Sequence, residues 1–261
     1  MTRLGVTIGS ITFTWLGLSL GIAVLAGLIV FLRLCRRRGL PESFAFNLAL
    51  SGLAGGLLGG WAVHVALQWN SFFAYNYALI WKVVPGALSI HGAIICGSLT
   101  AAAYSRIQRI GFYAYADLIV PGLSVGIVIG HIGHYFGSAM QGRVAAGFGV
   151  YHPVALYSAA TGLLLLGGWY LTTRRYPLAV AGTHFWAFAA SYGVLRAITD
   201  LFRAQPLYVV ASVNSEWGIG FFTLPQLLAP LLLVVAVLQL YHLNRARQTS
   251  NLEGSGRREA V

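Results

Sequence analysis

Residues 116–143 read ADLIVPGLSVGIVIGHIGHYFGSAMQGR. The first part of this stretch is almost wholly apolar, which is typical of a helix that crosses a membrane. The last part carries two histidines three residues apart, His131 and His134, several glycines and a closing arginine, Arg143. Ionisable side chains at membrane depth are costly and tend to mark a functional site. The stretch therefore predicts a membrane-spanning helix with a polar site at one end.

The composition of the whole chain supports a membrane protein. Of 261 residues, 57% are apolar and only 9% are charged, whereas soluble domains carry about a quarter charged residues. The formal net charge is +11, but the charges lie in short clusters between apolar runs, so no nucleic-acid partner is predicted. The two cysteines, Cys35 and Cys96, lie in different surroundings and predict no disulfide.

Seven stretches of the chain are apolar enough to be spanning helices. They lie near residues 10–32, 45–67, 88–105, 114–137, 153–172, 182–202 and 224–242. The predicted fold class is all-α, a polytopic integral membrane protein with about seven transmembrane helices, because the lipid bilayer offers no hydrogen-bond partner to an open backbone. We expect a single membrane domain over residues 1–244 and a disordered, polar cytoplasmic tail over residues 245–261.

The charges of the loops predict how the chain is oriented in the membrane. Arginines cluster after the first, third and fifth spans and in the tail, and positive residues favour the cytoplasmic side. The N-terminus is therefore expected outside and the C-terminus in the cytoplasm. In that orientation most ionisable groups near the membrane lie at the outer level, namely His64, His91, His131, His134, Arg143, His152, Arg196, Asp200 and Arg203.

The sixth span carries the charges that suggest a ligand. Arg196, Asp200 and Arg203 are spaced i, i+4 and i+7, so they share one helix face, and Arg196 can pair with Asp200. A guanidinium group binds phosphate through two hydrogen bonds and stays charged in a dry site. A histidine beside it can accept a proton near neutral pH. We therefore predict a lipid phosphate bound between spans three, four and six.

Other uses of these side chains are less favoured. The His-x-x-His pair could be half of a metal site, but Asp200 is the only acidic residue expected at that level, so no metal is predicted. Several spans carry histidines, so the sequence does not exclude a haem bound by two of them. The single lysine, Lys82, lies in a loop, which excludes a retinal Schiff base. A small proton-coupled transporter would need polar residues in the cytoplasmic half as well, where Asp117 and His184 stand nearly alone.

Five stretches, in order along the chain, resemble the prolipoprotein diacylglyceryl transferases of bacterial inner membranes. They are LSIHGAIICG (88–97), the stretch 116–143 quoted above, HPVALYSA (152–159), YGVLRAITDLFRAQP (192–206) and TLPQLLAP (223–230). The resemblance implies transfer of diacylglyceryl from phosphatidylglycerol to the lipobox cysteine thiol of a preprolipoprotein, with release of glycerol phosphate. It also implies a multi-pass protein of the bacterial cytoplasmic (inner) membrane, with its active layer at the outer leaflet, and no cofactor.

The resemblance further implies roles for individual residues. His91 matches a candidate base and Arg196 a candidate phosphate clamp. His131 and His134 are candidate catalytic residues, as base or as phosphate partner. The implied substrate-binding residues are Arg143, Gly142, Arg203, Asp200, Tyr192, Gly92, His152 and Tyr157.

Several positions depart from the family pattern. His131 replaces an arginine, His134 replaces an asparagine, and Ala139 replaces a glutamate. A neutral histidine supplies less charge than arginine and lacks its five donors. These replacements favour an alternative, a non-catalytic or repurposed relative that binds phospholipid, whereas the retained His91 and Arg196 favour the transferase.

Overall fold

The computed structural model describes residues 5–8, 11–69, 73–81, 88–137, 142–177, 180–204 and 212–259. The described residues include seven long helices, α1 Trp15–Arg37, α2 Glu42–Leu67, α3 Ile90–Ile107, α4 Phe112–Phe136, α5 Val154–Arg175, α6 Thr183–Asp200 and α7 Leu224–Glu259. Two short 3-10 helices, Phe73–Tyr75 and Tyr77–Trp81, lie between α2 and α3. The seven predicted helices are confirmed. Lys82 and Ala139 lie outside the described residues.

Five of the described helices are long and apolar enough to cross a membrane. They are α1, α2, α4, α5 and the part of α7 at Pro225–Arg245. The two shortest helices, α3 and α6, have 18 residues each and are not among the five. Both contain an arginine, Arg106 and Arg196 respectively, and a charged residue lowers the hydropathy of a short helix strongly. The predicted polytopic membrane fold is confirmed.

The chain divides by its internal packing into two compact units. The larger unit combines Met1–Phe31 with Ala116–Val261, and the smaller unit is Leu32–Tyr115. The single membrane domain expected over residues 1–244 stays a prediction.

In the smaller unit, α2 and α3 pack closely because glycines line both helices. A β-carbon built on Gly92 would lie 2.5 Å from the carbonyl oxygen of Gly59, and one on Gly97 would lie 2.8 Å from that of Gly52. Helices in lipid associate through small residues that let their backbones approach. Gly92, a predicted substrate-binding residue, thus has a packing role in this structure.

In the larger unit, α1 and α4 approach each other in the same way. A β-carbon on Gly122 would lie 2.5 Å from the carbonyl oxygen of Gly27, and one on Gly27 would lie 2.8 Å from that of Gly122. Nearer the end of α4, Gly133 leaves room for the Ser19 side chain of α1. The glycines that precede the polar end of α4 therefore serve the packing of α1 on that end.

Asp117 of α4 caps the start of α6. Its two carboxylate oxygens accept hydrogen bonds from the backbone N–H groups of Gly182 and Phe185, each over 2.8 Å. The first N–H groups of a helix have no partner within the helix, and a negative charge there is favoured by the helix dipole. Asp117 therefore fixes where α6 begins relative to α4.

Among the described residues, three antiparallel hairpins join or precede the helices, and none of them was predicted from the sequence. They pair β1 Gly5–Ile8 with β2 Ile11–Thr14, β3 Val144–Ala145 with β4 Val150–Tyr151, and β5 Ser212–Asn214 with β6 Ile219–Phe221. Gly149 and Gly218 take positive φ angles of 63° and 62°, which allow the turns before β4 and β6.

The first span was expected from residue 10, but residues Ile11–Thr14 form β2 and α1 begins at Trp15. The reason is that β-branched residues dominate this segment, and their side chains lose rotamer freedom in a helix but fit a strand.

The structure describes α7 as a helix to Glu259, and the disordered cytoplasmic tail expected over residues 245–261 stays a prediction. Once a helix is formed, each added residue gains a hydrogen bond for the cost of fixing only its own backbone.

Candidate functional site

Two arginines and an aspartate lie together at the end of α6, which ends at Asp200. A terminal nitrogen of Arg196 lies 3.4 Å from Oδ1 of Asp200, and a terminal nitrogen of Arg203 lies 4.0 Å from the same oxygen. The Asp200 side chain is fully buried, and the two arginine side chains are 14% and 24% exposed. The predicted Arg196–Asp200 pair is confirmed, and the three charges leave one net positive charge in a largely dry place.

The polar atoms of this group are incompletely satisfied. Neither oxygen of Asp200 makes a hydrogen bond within the described part of the chain. Burial and the neighbouring Arg196 lower the pKa of Arg203 below its ordinary value, and Asp200 opposes that shift. Buried polar groups without partners are costly in a purely structural site. Their presence here is typical of a site that binds a polar ligand.

The histidine pair of α4 faces this group. The rings of His131 and His134 have their centres 5.5 Å apart, and both lie within electrostatic range of Arg196 and Arg203. The Nδ1 atoms of both rings are buried and make no hydrogen bond among the described residues. The structure therefore brings the two histidines of α4 close to the two arginines at the end of α6. We call these residues, with Asp200, the basic cluster.

The segment after α4 is bound to the end of α6 through its backbone. The N–H of Arg143 donates to the carbonyl oxygen of Phe202 over 2.8 Å, and Gly142 forms a β-bridge with Arg203. A β-carbon on Gly142 would clash with the carbonyl oxygen of His152. Gly142, predicted as a substrate-binding residue, is therefore required for the close approach of three backbone segments.

The Arg143 side chain packs flat against a glycine of β6. A β-carbon on Gly220 would lie 2.8 Å from Nε of Arg143 and 2.7 Å from its guanidinium carbon. Nε and one terminal nitrogen of Arg143 are buried without a hydrogen bond in the described part of the chain. The N–H of Gly220 donates to the Leu201 carbonyl oxygen over 2.7 Å, which places this glycine beside the end of α6.

His152 links the start of α5 to the β5–β6 hairpin. Its Nε2 lies 2.8 Å from the carbonyl oxygen of Trp217, and its Nδ1 lies 3.3 Å from the hydroxyl of Tyr157. Because a carbonyl oxygen only accepts, Nε2 carries a proton; in the neutral ring the Tyr157 hydroxyl then donates to Nδ1. The ring also packs on Phe202 with centres 4.7 Å apart. His152 and Tyr157 thus hold the segments that surround the basic cluster.

The remaining predicted site residues are Tyr192, His91 and Gly92. Tyr192, one turn before Arg196, stacks on Phe188 with ring centres 6.1 Å apart. His91 is the second residue of α3, in the smaller unit, and its side chain lies outside the described residues. Ser89 caps α3 by accepting from the N–H of Gly92 over 3.3 Å.

Three contributors to the site were missed by the sequence analysis, namely Phe202, Trp217 and Gly220. Trp217 contributes its backbone carbonyl oxygen, and Gly220 contributes the space left by its missing side chain. Phe202 contributes its backbone carbonyl oxygen and a ring that is one of many aromatic rings in the sequence. None of these properties has a sequence signature. Among the described residues, no group of three or more potential metal ligands occurs.

The fold and the site define a class, a helical membrane protein that holds a buried basic cluster at one end of its helix bundle. The sequence pattern of the family "Prolipoprotein diacylglyceryl transferase" matches residues 4–242, and the chain belongs to this family.

Curated relatives carry the same activity in their names. The phosphatidylglycerol–prolipoprotein diacylglyceryl transferase of Thermoanaerobacter sp. (strain X514) is 31% identical, over 88% of this chain and 89% of that protein. The proteins of that name from Thermus thermophilus and Deinococcus radiodurans are 30% and 28% identical and align with 92% and 93% of this chain. The alignments cover 96% and 86% of those two relatives.

Proposed function

We propose that this chain transfers a diacylglyceryl group from phosphatidylglycerol to the lipobox cysteine thiol of a preprolipoprotein. The observation that carries the proposal is the basic cluster, where Arg196 and Arg203 share one buried carboxylate and face two histidines. The names of the relatives indicate the reaction, and the basic cluster contains guanidinium and imidazole groups that suit it.

The reaction requires a base and a stabilised leaving group. The cysteine sulfur attacks the glyceryl carbon of phosphatidylglycerol that carries the phosphate, so a carbon–sulfur bond forms and the carbon–oxygen bond to phosphate breaks. The bond electrons leave with glycerol phosphate, and the thiol proton passes to a base. A thiolate is the effective nucleophile, and cations aimed at the leaving phosphate stabilise the charge that develops on it.

We assign the phosphate to Arg196 and Arg203. Two guanidinium groups held by one carboxylate present donors in fixed positions, and Asp200 offsets only part of their charge. An arriving phosphate diester, with one negative charge, balances the remaining net positive charge. Asp200 acts as a positioning residue in this scheme, because a carboxylate in direct contact with the phosphate would repel it.

We assign the thiol proton to the histidine pair. His131 and His134 lie within electrostatic range of the two guanidinium groups that we assign to the phosphate. A neutral imidazole can accept a proton, which an arginine at the same position cannot do. His91 stays the alternative base that the family resemblance implies.

The remaining predicted residues shape the site in this proposal. Arg143, with two buried nitrogens that lack partners in the described chain, can hold the glycerol end of the headgroup. Gly142, His152 and Tyr157 keep the Arg143 segment in place. Tyr192 and Gly92 are proposed substrate contacts on the strength of the resemblance. We infer from the loop charges that the cluster faces the outer leaflet of the bacterial inner membrane.

The direct test is a transfer assay in liposomes of phosphatidylglycerol with a lipobox peptide, followed by mass spectrometry. We expect the peptide to gain the mass of diacylglyceryl, and Arg196→Ala to abolish the gain. His131→Ala and His134→Ala separate the roles of the pair, since loss of the base lowers the rate at saturating lipid. Arg174→Gln, an exposed arginine of α5, is the matched control for loss of a positive charge.

A second candidate, a phospholipid-binding relative without catalysis, is favoured by Ala139 and His131, which replace a carboxylate and a guanidinium group. It predicts that the protein binds phosphatidylglycerol but leaves the peptide mass unchanged. That pair of results would exclude the transferase.

A further inference from the structure

A cavity of about 520 Å³ lies in the larger unit between α5 and α6, with contributions from α4 and α7. Most of its lining side chains are aliphatic or aromatic, and the polar ones are Thr172, Ser191 and His184. Leu164, Val194 and Leu233 line it and are 63%, 40% and 41% exposed. The cavity therefore opens on the outside of the helices, where a membrane protein meets lipid.

This cavity is separate from the basic cluster. At about 100° per residue, the α6 residues that line it, between His184 and Leu195, are centred roughly 150° around the helix from Arg196. Arg196 and Asp200 therefore lie on the opposite face of α6. A lipid bound in the cavity does not occupy the site proposed for the substrate phosphate.

A basic residue lies beyond the cavity on the same face of α5. Arg175 follows Gly168 by seven residues and Thr172 by three, so the three residues share a face. Arg175 is exposed, and its guanidinium carbon lies 5.9 Å from the centre of the Tyr176 ring. The neighbouring Arg174 lies on the far side of α5, roughly 150° from the centre of the cavity face.

A pair of polar side chains lies at the end of the cavity that is nearest to Arg175. Oγ1 of Thr172 lies 3.4 Å from Nδ1 of His184, at the start of α6. The cavity thus has an apolar body, a polar rim formed by α5 and α6, and an arginine just past that rim. This order matches the acyl chain, ester region and phosphate of a phospholipid.

We propose that this cavity binds one acyl chain of an acidic phospholipid that is not the substrate, and that Arg175 binds its phosphate. An apolar cavity open to the bilayer is filled by the apolar molecules present there, which are lipid chains. Basic groups at the ends of spanning helices attract acidic headgroups. The bound lipid braces α5 against α6, the helix that carries the basic cluster.

The site can be tested with phosphatidylglycerol that carries a photoactivatable diazirine at the end of an acyl chain. After irradiation of proteoliposomes, mass spectrometry of peptides maps the adducts. We expect adducts on residues of α5 and α6 that line the cavity away from its polar rim, such as Leu165 and Leu195. The readout does not depend on transferase turnover, so a protein inactive in the transfer assay still gives these adducts if the cavity binds lipid.

Two glycines of α5 form a matched pair for this test. A β-carbon on Gly167 or Gly168 meets nothing within 4 Å, so either position accepts a larger side chain. Gly168 lines the cavity, whereas Gly167 points roughly 130° away from the centre of the cavity face. Gly168→Leu should remove most of the cavity adducts, and Gly167→Leu should leave them unchanged. Ala187→Leu, which fills the cavity from α6, is the second filling variant.

The headgroup is tested by charge. Arg175→Gln should lower the adduct yield severalfold, Arg174→Gln should not, and a photoactivatable phosphatidylcholine should label the cavity weakly. The same adduct yield in Gly168→Leu, Ala187→Leu and Gly167→Leu would overturn the cavity assignment. Equal labelling by the two lipids, with no effect of Arg175→Gln, would overturn the acidic phospholipid as the occupant.

Discussion

A terminal nitrogen of Arg196 lies 3.4 Å from Oδ1 of Asp200, and a terminal nitrogen of Arg203 lies 4.0 Å from the same oxygen. One buried anion therefore contacts two cations, Arg196 in the last turns of α6 and Arg203 three residues past its end. The arrangement favours an added negative charge, because the pair of arginines is only half neutralised and lies largely away from water.

Arg196→Ala should lower the rate of diacylglyceryl transfer by roughly 10²–10³-fold, the usual effect of removing one donor that stabilises developing negative charge. Arg196→Lys should give an intermediate rate, since lysine keeps the charge but not the planar fork. The measurement is the initial rate of peptide mass gain in liposomes. Equal losses in Arg196→Ala and in the distant Arg174→Gln would contradict a local role.

Asp200→Asn should destabilise the protein by about 3 kcal/mol, because it leaves two largely buried arginines without their counter-charge. Asp200→Glu should keep most of the stability, since the carboxylate is retained. The check is thermal unfolding in detergent. An unchanged midpoint in Asp200→Asn would show that the arginines have another partner.

Gly142→Ala should abolish transfer and shift the position of Arg143, because the added methyl group clashes with the carbonyl oxygen of His152. Gly111→Ala is the matched control, since a β-carbon there meets nothing within 4 Å. Transfer rate and limited proteolysis of the hairpin segments report the two effects. Normal transfer by Gly142→Ala would exclude the tight backbone contact.

His131→Arg should bind phosphatidylglycerol more tightly than the unmodified protein, because arginine adds a permanent charge and five donors beside Arg196 and Arg203. If His131 is the base, the same variant should transfer more slowly at saturating lipid, since arginine does not accept a proton. Lipid affinity and the maximal rate are measured separately. Weaker lipid binding by His131→Arg would argue against a phosphate beside this residue.

Asp117→Ala should destabilise the protein by about 1 kcal/mol, the usual effect of losing a helix cap. Stability is lost because two backbone N–H groups at the start of α6 no longer have the Asp117 carboxylate as their hydrogen-bond acceptor. Glu216 lies in an exposed turn and caps no helix in the described part of the chain, so Glu216→Ala is the control for loss of an acidic side chain. Equal unfolding midpoints for the two variants would contradict the capping role.

Much of the fold could be predicted from the sequence. The helices from α2 to α6 begin and end within a few residues of the predicted spans, because apolar length and the positions of arginine clusters are local properties. The pairing of Arg196 with Asp200 followed in the same way from helical spacing. The hairpins were missed, since short strands have weak local signals.

The sequence by itself determined that this is a membrane protein of about seven helices, because hydropathy and helical period act along the chain. It also predicted that most ionisable groups near the membrane lie at one level. Only the tertiary structure decided which of those residues meet. His152 binds the carbonyl oxygen of Trp217 across 65 residues, and Arg143 packs on Gly220. Such contacts use backbone atoms and the absence of a side chain, and these properties depend on how the segments pack.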